Sequence, residues 1–107
     1  MNINILKAVY FIGAGGIGMS ALVRYFLSKG KKVGGYDRTP SELTEKLIAE
    51  GAAIHYEENV SAIPEDFLDP ETTLIVYTPA IPATHKEFVY FRKKVSIYKS
   101  GHKFSEC

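Results

Sequence analysis

The chain has 107 residues, which suits one compact domain and is too short for two independent hydrophobic cores. Its composition, 46% apolar and 23% charged, is that of ordinary globular proteins and excludes disordered and collagen-like classes. The formal net charge of +1 excludes a strong overall attraction to nucleic acid or to anionic membranes.

The first part of the chain predicts a strand, a glycine turn and a helix. Residues 3–12 are apolar and β-branched, which is typical of a strand buried on both faces of a parallel sheet. After the glycines, apolar residues recur at helical spacing and predict a helix that ends at Gly30. The buried stripe of this helix is predicted to consist of Met19, Leu22, Val23, Phe26 and Leu27.

Residues 32–36 predict a second strand, and a complete helix-start signal follows it. Thr39 is predicted to cap the second helix, Pro40 to occupy its first position, and Glu42 to close a capping box. Gly51 is predicted to end this helix.

The second half of the chain continues the alternation of strands and helices. Further strands are predicted at residues 52–55, 74–77 and 95–98. The stretch before residue 73 is acidic and contains prolines, so it predicts a loop with at most a short helix near residues 63–68. A second capping box, from Thr84 to Glu87, predicts a helix that continues through Phe91. The tail from about residue 99 has no recognisable pattern.

Strands separated by helices imply right-handed parallel crossovers. The sequence therefore predicts an α/β fold, an open parallel sheet of four to five strands with helices on both faces. Ligands of such sheets bind beyond the carboxyl ends of the strands. Three segments lie at those ends and define the candidate site, namely residues 13–18, 37–39 and 78–81.

The glycine run matches the pattern G-x-G-x-x-G and consists of Gly13, Ala14, Gly15, Gly16, Ile17 and Gly18. Gly13 is predicted to allow a tight turn, Gly15 the approach of a phosphate to the backbone, and Gly18 the packing of helix against strand. A diphosphate is the expected ligand, because the helix start presents free N–H groups and the positive end of its dipole. A plain turn is the alternative, but the preceding strand, the following helix and a later acidic residue favour nucleotide binding.

Further candidates lie at the same edge of the predicted sheet. Asp37 ends the second strand, where a carboxylate can accept hydrogen bonds from ribose hydroxyls, although a turn or capping role is the alternative. His55 could reach a base edge or a phosphate, or it could be a structural histidine. The segment Thr78, Pro79, Ala80 and Ile81 either contributes to the ligand edge or forms a rigid connection.

Several kinds of chemistry have no sequence signal in this chain. The histidines and the single Cys107 lack metal-ligand spacing, and no nucleophile has a base beside it, so no metal site and no catalytic residue are predicted. The pattern G-x-x-x-x-G-K-[ST] for ATP and Mg²⁺ is also absent. Because the sequence shows neither a secretory pattern nor an apolar run of roughly 18 residues, we expect a cytoplasmic protein.

Residues 12–22 are more specific than a general dinucleotide fingerprint, because Met19 and Ser20 follow the glycines directly. Matches continue along the chain at Gly35-Tyr36-Asp37, Gly51-Ala52, His55 with Glu58-Asn59-Val60, and Thr78-Pro79-Ala80-Ile81. Over about residues 9–87 the chain resembles the N-terminal domain of the UDP-N-acetylmuramate:L-alanine ligases, members of the Mur ligase family. It departs from them at Tyr36, where a small residue is expected and a ring would narrow the ribose side, and beyond about residue 91.

The resemblance implies a Rossmann-like domain that binds the UDP portion of UDP-N-acetylmuramate in peptidoglycan precursor synthesis. It implies that the glycine segment with Ser20 holds the diphosphate, Asp37 the ribose side, and His55 with residues 78–81 the uridine end. The substrate-binding residues implied are Gly13, Ala14, Gly15, Gly16, Ile17, Gly18, Met19, Ser20, Asp37, His55, Thr78, Pro79, Ala80 and Ile81.

Members of this family are larger than the present chain. Their central domain uses ATP and Mg²⁺, and a third domain helps to hold L-alanine. We therefore expect residues 1–107 to form a single substrate-binding domain, without a cofactor of its own and inactive as a ligase when alone. Its expected partners are UDP-N-acetylmuramate and the other ligase domains, with no nucleic acid and no membrane.

Two other functions remain open. An NAD(H)-binding module of a dehydrogenase or a regulatory sensor would use the same glycine and aspartate geometry. The chain length disfavours it, because a dinucleotide site usually uses two mononucleotide-binding halves. A protein-interaction module would leave the glycine run and Asp37 without a joint explanation.

Overall fold

The computed structural model describes residues 5–15, 17–69, 71–78, 81–92 and 97–99. The strands in this part of the chain are β1 (Ala8–Ile12), β2 (Lys32–Tyr36), β3 (Ala53–His55), β4 (Thr73–Tyr77) and β5 (Ile97–Lys99). The α-helices are α1 (Ile17–Ser28), α2 (Glu42–Ala49) and α3 (Lys86–Arg92). Two single-turn 3-10 helices, Val60–Ala62 and Glu65–Phe67, lie between β3 and β4.

The strands form one sheet of five strands in the order β3-β2-β1-β4-β5, and every neighbouring pair is parallel. This confirms the predicted open parallel sheet of four to five strands. β1 lies at the centre, and all five of its residues are buried. The chain moves outward from β1 through β2 to β3 and then returns to the other side of β1 as β4. The sheet therefore has a switch point between β1 and β4, where open α/β sheets bind their ligands.

One face of the sheet is covered by α1 and α2. Val9 and Phe11 of β1 pack there against the stripe of α1, and Leu47 contributes from α2. Met19, Val23 and Phe26 of the predicted stripe are buried, while Leu22 and Leu27 are partly buried against the same cluster. The predicted apolar stripe of α1 is thus confirmed as the face that packs on the sheet.

The other face is covered by α3 and the two 3-10 helices. Tyr10 and Ile12 of β1 pack on this side with Ile63, Phe67 and Phe91. The prediction of helices on both faces is therefore confirmed. Unlike the first face, this layer includes a charged side chain, Glu87, that is fully buried.

The predicted strand starts differ by one residue at β3 and β4, and by more at β1. β1 begins at Ala8 rather than near residue 3, because the strands on both sides of it begin opposite Ala8, at Lys32 and Thr73. Lys7 still bonds to both sides, since its N–H donates to the Thr72 carbonyl and its carbonyl accepts the Lys32 N–H, but residues 5–7 are not part of the strand. Residues 1–4 lie outside the described chain. The last strand begins at Ile97 within the described residues, whereas the first two positions of the predicted strand 95–98 are not among them.

The predicted cap of α2 is wrong. Ser41, not Thr39, precedes the helix: its Oγ accepts the Thr44 N–H at 3.1 Å, and the Thr44 Oγ1 accepts the Ser41 N–H at 2.9 Å. Thr39 is unsuited because its own N–H donates to Asp37, which keeps residue 39 in the preceding turn. Pro40 consequently lies before the helix, and Glu42 is exposed at its first position.

The predicted cap of α3 is also wrong. His85 directly precedes the helix, and its Nδ1 accepts the Glu87 N–H at 3.2 Å. The Lys86 N–H donates to the Glu58 carboxylate at 2.9 Å. Thr84 is exposed, and Glu87 points into the protein instead of closing a capping box. A buried carboxylate that finds other hydrogen-bond donors is not available to cap a helix.

Candidate functional site

The glycine turn lies at the switch point of the sheet, as the sequence predicts for a ligand site. Gly13 follows β1 with a φ of 98°, a conformation that favours glycine. A Cβ added to Gly13 would lie 2.5 Å from the Cγ2 of Thr78 and 3.8 Å from the Cδ1 of Ile81. Gly13 therefore packs closely against the residues that follow β4.

Asp37 connects the end of β2 to the glycine turn. Its Oδ1 accepts the Gly15 N–H at 3.0 Å, and its Oδ2 accepts the Thr39 N–H at 3.2 Å. Its own N–H donates to the carbonyl of His55 at 3.1 Å, across to β3. The turn role considered for Asp37 is thus present in the structure. A carboxylate has about four acceptor positions, so two remain for ligand hydroxyls.

Gly15 and Gly18 have different surroundings. A Cβ at Gly15 would lie 2.9 Å from both the Oδ1 of Asp37 and the Cγ2 of Thr44, and Thr44 is fully buried. Packing within the protein therefore requires a glycine at position 15, whether or not a phosphate binds there. At Gly18, by contrast, a Cβ would meet nothing within 4 Å. The expectation that Gly18 allows close packing of helix against strand is therefore wrong, because the residue lies on the exposed side of α1.

The remaining positions of the glycine segment contribute backbone more than side chain. Ala14, Met19 and Ser20 are buried, and the first two belong to the core on the α1 face. Ile17 begins α1, so the first free N–H groups of this twelve-residue helix lie directly after the turn. Gly16, Pro79 and Ala80 lie outside the described residues.

The structure does not bring all the predicted site residues together. His55 ends β3 and Thr78 follows β4, and these strands are on opposite sides of β1 and β2 in the sheet order. Three strand spacings separate β3 from β4, which corresponds to roughly 15 Å. A single uracil ring is much smaller than this distance. Of the two, Thr78 is the neighbour of the glycine turn, and His55 is the neighbour of Asp37.

A polar cluster of Tyr10, His55, Asn59 and Glu87 lies on the β3 side of the sheet, with Tyr10 and Glu87 fully buried, His55 partly buried and Asn59 exposed. The Tyr10 hydroxyl donates to Glu87 Oε1 at 2.5 Å. Glu87 Oε2 lies 2.9 Å from His55 Nε2 and accepts the Asn59 N–H at 3.1 Å. Burial raises the pKa of Tyr10 strongly, and the hydrogen bond to Glu87 raises it further. We refer to these four residues as the Glu87 cluster.

The sequence does not predict the Glu87 cluster. It predicts that Tyr10 lies in a strand buried on both faces, and a buried tyrosine hydroxyl normally has a hydrogen-bond partner. That rule indicates a polar group elsewhere in the chain, but it does not identify Glu87, which is 77 positions away.

Tyr36 lies beside the Glu87 cluster. Its ring centroid is 4.7 Å from that of His85 and 5.9 Å from that of His55. Burial raises the pKa of Tyr36, and the negative charges of Glu58 and Glu87 raise it further. Adjacent strand residues point to opposite faces, so the Tyr36 ring packs on the α3 side while the Asp37 carboxylate reaches Gly15.

Residues 8–106 match the family described as "Mur ligase family, catalytic domain". The chain belongs to the Mur ligase family. Within the described residues, no helix is long and apolar enough to cross a membrane. Nor does that part of the Mur ligase chain bring three His, Cys, Asp or Glu residues together as a metal site would require.

Two curated Mur ligase relatives cover most of the chain. The UDP-N-acetylmuramate--L-alanine ligase of Phocaeicola vulgatus is 80% identical over 93 residues, which are 87% of this chain and 20% of the relative. The enzyme of the same name from Parabacteroides distasonis is 67% identical over 92 residues, 86% of this chain and 20% of the relative. The chain therefore spans about a fifth of the length of the curated relatives that it matches.

A solved structure in the Mur ligase family has the same fold. The crystal structure of UDP-N-acetylmuramate-alanine ligase from Thermotoga maritima aligns with a TM-score of 0.74 and 29% sequence identity. The aligned part is 86% of this chain and 20% of that protein. The predicted α/β fold and the predicted family are both confirmed by these comparisons.

Proposed function

We propose that this chain binds the UDP portion of UDP-N-acetylmuramate, and that the complete enzyme adds L-alanine to this substrate in peptidoglycan precursor synthesis. The observation that carries the proposal is the glycine turn at the switch point, which leads directly into α1. Free N–H groups at a helix start bind phosphate oxygens, and the helix dipole adds about 0.3–1 kcal/mol for each exposed anionic group. The names of the relatives favour a uridine nucleotide over an adenine dinucleotide.

The order of strands along the ligand edge supports a direction for the nucleotide. His55, Asp37 and the glycine turn follow β3, β2 and β1, which are consecutive neighbours in the sheet. Base, ribose and diphosphate follow each other in the same order in a nucleotide. We assign His55 to the uracil, Asp37 to the ribose, and the start of α1 to the diphosphate.

The segment after β4 is then on the far side of the diphosphate. Thr78 and Ile81 border Gly13, whereas the base position at β3 is three strands away. We therefore assign residues 78–81 to the diphosphate and the N-acetylmuramate sugar rather than to the uridine end. The family resemblance implies that His55 and residues 78–81 both lie at the uridine end. We instead assign them to opposite ends of the ligand.

The ligase reaction itself requires parts of the enzyme beyond this chain. ATP and Mg²⁺ do not fit the residues present, because the sequence lacks the phosphate loop for ATP and the described residues contain no metal-ligand cluster. We assign the binding of ATP, Mg²⁺ and L-alanine to the remaining four-fifths of the relatives' length, and the reaction to the cytoplasm.

An amide NMR titration tests the proposal. The chain is titrated with UDP-N-acetylmuramate and, at matched concentrations, with NADH. We expect shifts at Gly15, Asp37, His55 and Thr78 with the uridine ligand, and much smaller shifts with NADH. A response to NADH alone would favour a dinucleotide module, and no response to either ligand would contradict binding by this chain. Arg24→Gln, on the exposed side of α1 where Arg24 pairs with Glu50, is a control that should respond like the parent.

A further inference from the structure

We propose that Glu87 holds His55 in the tautomer that carries its hydrogen on Nε2, and that the free Nδ1 of His55 then selects uracil over cytosine. The inference rests on the proposed function, because it assumes that a nucleotide base binds at the end of β3. It assigns a role to a buried carboxylate that does not itself reach the ligand.

The contacts of Glu87 determine which ring nitrogen carries the hydrogen. A carboxylate oxygen accepts hydrogen bonds, and Glu87 Oε2 lies 2.9 Å from His55 Nε2. The same carboxylate also accepts from the Tyr10 hydroxyl and the Asn59 N–H. The Glu87 side chain is fully buried, so water does not compete for these positions. The arrangement requires an N–H at Nε2, because an imidazole nitrogen without hydrogen would place two acceptors against each other.

The other ring nitrogen of His55 is then an acceptor. A neutral imidazole has one N–H, so a hydrogen on Nε2 leaves a lone pair on Nδ1. The Tyr10 hydroxyl lies 3.2 Å from Nε2 and 3.5 Å from Nδ1, but its hydrogen is directed to Glu87 at 2.5 Å. The His55 side chain keeps 19% of its surface exposed, whereas Glu87 keeps none. His55 therefore has Nε2 engaged by a buried carboxylate and a lone pair on Nδ1, in a side chain that is partly exposed.

An acceptor at this position distinguishes the two pyrimidines. Uracil carries a hydrogen on N3 and can donate to Nδ1. Cytosine has a lone pair on N3, so the same placement would bring two acceptors together. A site that offers a fixed acceptor discriminates strongly against a ligand that lacks the matching donor.

Two variants separate this role from a structural one. Glu87→Met removes the acceptor at similar side-chain length, while Tyr10→Phe removes the Tyr10 hydroxyl from Glu87 and from His55 and leaves the contact between His55 Nε2 and Glu87 in place. We expect the parent to bind UDP at least about tenfold more tightly than CDP. Glu87→Met should lower that ratio about tenfold, and Tyr10→Phe should leave it within about twofold even though it destabilises the fold. Equal loss of selectivity in both variants would overturn the proposal.

A second measurement does not depend on the ligand or on the folding of a variant. Ring ¹⁵N spectra of the parent chain, recorded at mildly alkaline pH where histidines are neutral, report the tautomer of His55 directly. We expect the hydrogen on Nε2, and a hydrogen on Nδ1 would overturn the proposal whatever the variants do. If the spectra show Nε2–H but the chain binds neither UDP nor CDP, the proposed function fails and with it the selectivity for uracil, while the positioning of His55 by Glu87 stands.

Discussion

The Asp37 carboxylate accepts the amide hydrogen of Gly15 at 3.0 Å, so one side chain joins the end of β2 to the turn after β1. A turn expected to bind an anionic ligand is thus already held by an anionic group of the protein. Both carboxylate oxygens are engaged with backbone N–H groups, which fixes the orientation of Asp37 before any ligand arrives. Two acceptor positions remain for the proposed ribose contact, and the fixed orientation would reduce the entropy lost on binding.

Gly15→Ala should lower the free energy of unfolding by about 1–3 kcal/mol, as overpacking typically does. The added Cβ would lie 2.9 Å from Asp37 Oδ1 and from the buried Thr44 Cγ2, so the turn must move away from Asp37. Urea denaturation measures the change. Gly18→Ala is the matched control in the same segment: with open space around its Cβ and a helical position, it should raise stability by about 0.5–1 kcal/mol. Equal effects at the two glycines would contradict this account.

Ser41→Ala should cost about 1 kcal/mol of unfolding free energy, the usual effect of losing a helix cap. Its Oγ accepts the Thr44 N–H, which would otherwise lack a partner at the start of α2. Thr39→Ala is the comparison, because Thr39 contributes a backbone N–H and no cap. Thermal or urea unfolding should show a smaller loss for Thr39→Ala, and the reverse order would restore Thr39 as the cap.

Gly34→Ala should destabilise the fold by about 1–3 kcal/mol through overpacking. A Cβ at Gly34 would lie 2.7 Å from the Phe67 ring and 2.9 Å from the carbonyl oxygen of Ala53. Phe67→Leu should recover part of this loss, because it shortens the side chain that the new methyl meets. A double-mutant cycle measures the coupling, which we expect to exceed about 0.5 kcal/mol. Strict additivity of the two substitutions would show that the ring is not the obstacle.

The stability of the chain should fall as the pH rises above about 10, where tyrosines in the unfolded chain lose their protons. The folded-state pKa of Tyr10 is raised by burial, so the folded protein retains the proton that the unfolded chain releases. Stability is therefore fully present below the unfolded pKa and is lost above it. Tyr10→Phe should make the alkaline fall shallower, although a part should remain because the pKa of Tyr36 is also raised. Urea unfolding at a series of pH values tests this, and identical slopes would contradict it.

Those parts of the fold that depend on local pattern can be predicted from the sequence. The bounds of β2 were predicted to the residue, and β4 differed by one position, because apolar runs flanked by turn residues are informative over short distances. The stripe of α1 was correct for the same reason. The two capping boxes were not, since Thr39 and Ser41 both have side chains able to cap, and only the turn around Asp37 decides between them.

Some features of the candidate site can be predicted from the local sequence, and others depend on the folded structure. Its glycine turn and Asp37 follow from motif spacing and from the position of strand ends along the chain. The Glu87 cluster does not, because its members come from β1, β3, a 3-10 helix cap and α3 and meet only after the sheet has formed. The sheet order also decides that His55 and Thr78 stand apart, and spacing along the chain contains no information on that order.

Neighbouring residues of β1 have chemically different environments, so a shift in the register of this strand would be energetically costly. Phe11 packs with Phe26 in an apolar layer, whereas Tyr10 donates to Glu87 on the opposite side. A slip of one position in the pairing of β1 would exchange the two sides. A hydroxyl would then enter the apolar layer without a partner, which is costly, and Glu87 would lose one of its donors. The polar cluster therefore disfavours misaligned sheets during folding, in a strand whose uninterrupted apolar character would otherwise tolerate them.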